Sequence, residues 1–276
     1  MEIKGWRYYN HAALPDVSPH EDVDISPIKN GSIWKMHKGI YLARWITDYD
    51  CSNETNWWYI VKDNPFDISA LKSKRRYEIN KGKKNFQVTE INPREYKEAI
   101  YQIQKAAFDS YPLKYRPTVN KEELFRKIEK WDYYKVYGAF SINSGDLCGY
   151  AILNKSGDYI YYAFHKVIPE HEKEGINAAI VAFVLDDHKE ALENGAYICD
   201  GSRSISHETK FQDYLEKYFD FRKAYCHLHI KYRFGVGAVV KMLYPFRSLL
   251  YKHDNSGFIH NVNAILKMEE IIRNKI

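Results

Sequence analysis

Three apolar-rich runs, Tyr134 to Ile142, Leu147 to Asn154 and Asp158 to His165, follow one another with only Asn143-Ser144-Gly145-Asp146 and Lys155-Ser156-Gly157 between them. Connections that short, each with a Gly for the turn, leave no room for a crossover helix, so the strands must form an antiparallel meander. Upstream, Asn85 to Ile91 alternates as a strand, and Asn92-Pro93-Arg94-Glu95 starts a helix that runs to about Asp109. Tyr96, Ile100, Ile103 and Ala107 give that helix its apolar face. Tyr111-Pro112 and Arg116-Pro117 then force a loop before a second helix, Asn120 to Trp131. Downstream, Ile176 to Asn194 reads as a buried helix stopped by Gly195, and Ala196 to Cys199 as a short strand. An amphipathic helix, His207 to Phe219, and a long strand, Phe221 to Phe234, complete the series. The order over residues 85–234 is β, α, α, β, β, β, α, β, α, β. That predicts an α/β (α+β) fold with a mostly antiparallel central sheet flanked by helices.

The flanks are less regular. Residues 1–39 scatter Pro, Asp and Gly with little periodicity and are expected to wrap irregularly over the body. Strands follow at Ile40 to Ile46 and Trp57 to Lys62, then a helix from Asp67 or Ser69 with Gly82 as its left-handed stop. Val236 to Lys252 is apolar with Lys241, Arg247 and Lys252 interspersed, and Pro245 must kink or divide it. This stretch either packs over the sheet or lies on a membrane surface. A last helix is expected from Ile259 to Asn274. The expected division is an N-terminal segment 1–84, a core 85–234 and a C-terminal helical appendix 235–276.

Composition excludes some classes. With 45% apolar and 28% charged residues, the chain has the balance of a water-soluble globule. No apolar run approaches the ~18 residues of a membrane-spanning helix. Lys4, Arg7, Asp16 and Glu21 break the pattern of a cleaved secretion signal. Cys51, Cys148, Cys199 and Cys226 lie far apart, which predicts reduced thiols, no metal site and a cytoplasmic protein. Peripheral contact with the inner membrane face stays open through the C-terminal segment.

The element order resembles the GNAT acyltransferase fold. In that family the fourth and fifth core strands splay apart and the donor's pantetheine arm enters the gap; here those strands are Asp158 to His165 and Ala196 to Cys199. The run Lys72-Ser73-Lys74-Arg75-Arg76-Tyr77-Glu78-Ile79-Asn80-Lys81-Gly82, followed by a strand, resembles the segment leading into the second domain of Fem-type peptidyl transferases. The Gly201-Ser202-Arg203 turn and the Phe219-Asp220-Phe221-Arg222 corner fit the same group. Those proteins carry two GNAT-like domains and transfer amino acids from aminoacyl-tRNA to cell-wall precursors, and residues 1–84 would be a truncated first half. The resemblance implies an acyltransferase using acetyl-CoA or another acyl-CoA as co-substrate. Its acceptor would be an amine or hydroxyl of a sugar, lipid-linked or peptide precursor, in cell-envelope or surface-polysaccharide assembly. A Fem-like aminoacyl-tRNA-dependent transferase and a catalytically silent binding module are the alternatives.

Such a transfer needs a base, an acid and a place for the donor's phosphates. Orphan amides at a helix start favour anions, which points to Lys173, Gly175, Ile176 and Asn177 for the donor, although Glu172 and Glu174 depart from the family pattern and would repel it. Asp200 is the candidate base and His207 a base or relay, both in the turn after the fifth core strand, with Tyr214 as acid toward the leaving group. Arg203 would clamp a phosphate or carboxylate, and His165 would face substrate. Each has a plainer reading as a turn, cap, surface or core residue. The cluster Lys72, Lys74, Arg75, Arg76, Lys81, Lys83 and Lys84 either meets a polyanion such as tRNA or another anionic surface, or forms a solvated helix face.

Overall fold

The computed structural model describes every residue except 112, 114, 115, 132–134, 206–209, 254–256 and 275–276. The strands are β1 (Trp6–Tyr9), β2 (Ala12–Pro15), β3 (Leu42–Thr47), β4 (Trp57–Lys62), β5 (Phe86–Glu90), β6 (Lys135–Ser141), β7 (Leu147–Ser156), β8 (Tyr159–Val167), β9 (Tyr197–Ser202) and β10 (Arg222–Tyr232). The helices are α1 (Ser26–Lys29), α2 (Ser73–Asn85), α3 (Lys97–Asp109), α4 (Lys121–Ile128), α5 (Ile176–Asp187), α6 (Lys189–Glu193), α7 (Lys210–Phe219), α8 (Val236–Leu243), α9 (Arg247–Lys252) and α10 (Gly257–Arg273). The fold is α/β with a mostly antiparallel sheet, as expected. By contact the chain forms two compact units. One comprises Met1–Tyr59, Ser202–Thr209 and Lys223–Ile276, the other Ile60–Gly201 and Lys210–Arg222.

In the first unit, residues 1–39 are more ordered than their composition predicts. Asn10 and His11, at φ of 45° and 64°, join β1 to β2 as a two-residue hairpin, the geometry a tight antiparallel turn requires. Histidine is not a turn signal at that position, which is why the hairpin does not show in the sequence. Trp6, Ala13, Ile28, Ile33, Ile40 and Ala43 form the core beneath it. Strand β3 pairs parallel with β2 and antiparallel with β10, from His227↔Thr47 to Tyr232↔Leu42. Pro245 divides the apolar C-terminal stretch into α8 and α9 through a 3-10 turn at Tyr244–Phe246. Both helices pack on α10, where Arg247 Nε donates to Glu270 Oε1 at 3.0 Å.

The second unit contains the meander. Strands β5, β6, β7 and β8 run antiparallel in sequence order, and β9 joins β8 parallel. Alternation along β7 sends Tyr150 and Ile152 into a cluster with Ile100 and Ile103 of α3 and Leu124 and Ile128 of α4. Gly149, on the other face, lets α5 come close, since a Cβ there would meet Ile176 and Ile180. Helix α5 is buried nearly all round, lying between this sheet and α2. The chain's units by contact therefore cut it differently from its segments by composition, because α2 packs within the second unit.

Three local expectations need correction. Gly82 does not stop α2: the helix runs through it to Asn85, and Gly82 is buried where α2 meets Gly175. The helix expected over 176–194 breaks at His188, whose φ of −105° and ψ of 11° end α5 and start α6. Strand β9 continues through Ser202, so Asp200 and Gly201 belong to a strand rather than to a turn. Asn92 caps its helix as the sequence predicts, accepting from Arg94 N, and Asn120 does the same at the second helix by accepting from Glu123 N.

Candidate active site at the open end of β8 and β9

The parallel ladder between β8 and β9 holds three pairs, Tyr159↔Tyr197, Ile160↔Ile198 and Tyr161↔Cys199. Beyond that point β8 continues to Val167 and β9 to Ser202, so the two strands part at their C-terminal ends. Asp200 stands at the parting, only partly exposed. Burial pushes its carboxyl up to about 7, against a hydrogen bond from Gln212 of α7 that favours the charged form. The negative charge of Asp200 in turn joins burial in raising the Tyr162 phenol well above its usual value.

Tyr162 and His165 would point to opposite faces of a regular strand. They share a face because the register with β7 shifts between Leu153↔Tyr162 and Ile152↔Phe164, leaving Ala163 as an extra residue. The Tyr162 hydroxyl then lies 2.8 Å from His165 Nδ1, and His165 Nε2 lies 2.7 Å from Asn177 Oδ1. The amide oxygen can only accept, so Nε2 carries the proton and Nδ1 accepts from Tyr162. Burial lowers the His165 pKa to about 4, which keeps the ring neutral at pH 7. Phe211 and Tyr214 of α7 close the group, with ring centroids 4.7 Å from His165 to Phe211 and 6.2 Å from Phe211 to Tyr214. Burial, with a smaller contribution from Glu78, raises the Tyr214 pKa, so this phenol keeps its proton and can donate it.

The structure thus brings Asp200, His165 and Tyr214 together within the second unit and recruits Asn177, expected at the donor phosphate, as the partner of His165. Both ring nitrogens of His165 are engaged by the protein, one by Tyr162 and the other by Asn177. His207 lies outside the described residues. The pairing of Tyr162 with His165 escaped notice in the sequence because it depends on the bulge at Ala163.

The donor site expected at Lys173, Gly175, Ile176 and Asn177 is covered. Gly175 and Gly82 meet backbone to backbone, so that a Cβ on Gly82 would lie 2.3 Å from Gly175 O. Asn85 Nδ2 donates to Glu174 O and Lys81 Nζ to Lys173 O. Ile176 is fully buried, and only the Lys173 side chain stays exposed. The start of α5 is thus packed against α2. The basic cluster on α2 divides accordingly. Lys81 and Arg76, which donates to Ser69 O, serve the fold, while Lys72, Lys74, Lys83 and Lys84 are exposed.

Arg203 belongs to the first unit. Its backbone N–H donates to Trp58 O, its guanidinium donates to Asn56 O at 2.7 Å, and the same group lies 4.4 Å from the Trp58 ring centroid. It lines a cavity of about 400 Å³ with Ser204, Lys267 and Glu270. A cavity of about 510 Å³ in the second unit opens at the other ends of β8 and β9, near Asp158 and His188, and contains none of the residues expected from sequence. No group of His, Cys, Asp and Glu among the described residues could hold a metal ion. Cys148, Cys199 and Cys226 are buried, and burial pushes the Cys199 thiol up to about 12.

No family model and no curated protein matches the chain. Solved structures do. FemX aligns with a TM-score of 0.53 at 10% identity, covering 86% of this chain and 85% of that one. A conserved protein of unknown function from Bacteroides thetaiotaomicron aligns with a TM-score of 0.52 at 11% identity over 79% and 78%. The C-terminal domain of a putative lysylphosphatidylglycerol synthetase from Agrobacterium fabrum aligns with a TM-score of 0.51 at 8% identity over 86% and 82%. At such identities the likeness is one of architecture, and it bears out the Fem-type resemblance at the level of the fold: this chain is similar in fold to FemX and to the synthetase domain.

Proposed function

We propose that the protein is an acyl-group transferase that moves an aminoacyl or other acyl group from an activated ester onto an amine or hydroxyl, with Asp200 as general base. The observation that carries this reading is the Asp200 carboxyl, held near neutral pKa where β8 and β9 part. A base poised there takes the proton from the attacking N–H or O–H as the new C–N or C–O bond forms. The ester C–O bond then breaks, and the departing oxygen takes a proton from Tyr214; release of the Asp200 proton and uptake of one by Tyr214 on product exit reset both groups. Neutral His165 holds the Tyr162 hydroxyl, and the enclosing rings keep water from the acyl carbon.

The packing of α2 over the start of α5 favours an aminoacyl ester, such as aminoacyl-tRNA, over acetyl-CoA or another acyl-CoA, whose pyrophosphate needs a free helix start. Exposed Lys72, Lys74, Lys83 and Lys84 offer a tRNA backbone its counter-charges. The name of the Agrobacterium neighbour denotes an aminoacyl ester built on a lipid, which supports an envelope-directed acceptor: a sugar, lipid-linked or peptide precursor.

The test is turnover with acetyl-CoA and with aminoacyl-tRNA, for the wild type and Asp200→Asn. Transfer from the aminoacyl donor, lowered by about 10²- to 10⁴-fold in the variant, is the expected result. Turnover of acetyl-CoA alone would reverse the donor assignment. Absence of turnover with every donor would leave a binding module.

A further inference from the structure

The C-terminal helices expose an apolar stripe. Val239, Met242, Phe246 and Leu249 are spaced three, four and three residues apart, so they continue along one face of α8, through the turn at Pro245, and onto α9. Their exposures are 49%, 63%, 60% and 58%, and Phe234 and Phe258 at either end are more exposed still. The opposite face is already engaged: Val240 is buried, and Arg247 and Tyr251 bond to Glu270 of α10. Packing within the unit therefore leaves about half or more of each stripe side chain open to solvent.

Charge says what would cover it. From Phe221 to His253 the sequence contains no Asp or Glu. Lys241 and Lys252 are exposed beside the stripe and form no ion pair among the described residues. A second copy of the chain is a poor occupant, because a twofold contact would bring Lys241 and Lys252 against their own counterparts. A nucleic acid would pair with the lysines and leave Val, Met and Leu in water. A bilayer with anionic headgroups satisfies both features, taking the apolar side chains into its acyl boundary and the ammonium groups at its phosphates. We propose that this face of α8 and α9 docks on an anionic lipid surface, with the helices lying in the plane of the interface.

The proposal stands apart from the transferase reading, since vesicle binding is measured without turnover. The experiment is co-sedimentation of the full chain with vesicles of phosphatidylcholine alone and of phosphatidylcholine mixed with phosphatidylglycerol, at low and high salt. Three proteins are compared: wild type, Met242→Ser with Leu249→Ser, and Lys241→Glu with Lys252→Glu. These side chains are exposed, so melting temperatures should agree and exclude misfolding. The expected result is binding to the mixed vesicles that salt weakens. The serine variant should lose at least about tenfold in partition, and the glutamate variant should lose its preference for phosphatidylglycerol by about the same factor. No wild-type binding to either vesicle, or binding indifferent to both variants, would overturn the proposal. So would a stripe-dependent dimer in lipid-free sedimentation, which would assign the face to a second copy.

Discussion

Asp200 shows how one side chain couples chemistry to stability. Its carboxyl titrates near 7 in the folded chain and near 3.8 when exposed, so the folded state holds the proton more tightly. The resulting stabilisation is complete below pH about 4 and is lost as pH rises through 7. Above that, keeping the charge enclosed costs up to about 4 kcal/mol. Asp200→Asn should therefore melt higher than wild type at pH 8, with the difference vanishing toward pH 4, while transfer activity falls. Differential scanning calorimetry across pH checks the first half. The pH–rate profile checks the second: wild-type turnover should rise about tenfold per unit up to pH about 7 and then level, because His165, at about 4, contributes no inflection. Tyr162→Phe should cost about 1–3 kcal/mol in denaturant unfolding, since His165 Nδ1 loses its donor inside the protein. Asp200, His165 and Tyr214 were legible as candidates because carboxyl, imidazole and phenol suit proton transfer. Their grouping was not, because it depends on one extra residue at Ala163.

Among elements, the crossing of α2 and α5 has the sharpest consequence. Gly82 sits in a helix with ordinary dihedrals, so replacing it with Ala should help helix formation by about 1 kcal/mol if nothing else changed. The added carbon would instead lie 2.3 Å from Gly175 O, forcing the helices apart. Gly82→Ala should therefore destabilise by a net of about 1–3 kcal/mol. Gly145→Ala is the control. That residue has open space around it and a φ of +76°, so its loss, about 1–2 kcal/mol, reports backbone strain alone. Urea unfolding of both variants separates the two causes. Gly82 also marks the limit of reading elements from sequence. A glycine after an apolar stripe looks like a helix stop, and only a partner helix about ninety residues away shows it to be a point of close approach. Capping and short-turn chemistry depend on neighbours in sequence, so Asn92, Asn120 and the meander's turns could be located from it. The hairpin at Asn10 and His11 could not, because a lone Asn followed by His, with no Gly beside it, is a weak turn signal.

At the scale of the whole molecule, the chain enters and leaves each unit more than once. The first unit draws on residues before Tyr59 and after Lys223, and β3 pairs with β10 across some 180 positions. A polypeptide ending before β10 should thus leave Trp6 to Thr47 accessible to protease while the meander stays resistant, an outcome limited proteolysis can read. During synthesis the order is the same. The hairpin and β3 leave the ribosome early, at ~5–20 residues per second, and wait roughly ten to forty seconds for the strand that completes them. Meanwhile the Trp6, Ile33 and Ile40 side chains that will form their core have only one another for cover. For this chain, the interval between making the first edge of the unit and making its partner is a window in which a chaperone would find its substrate.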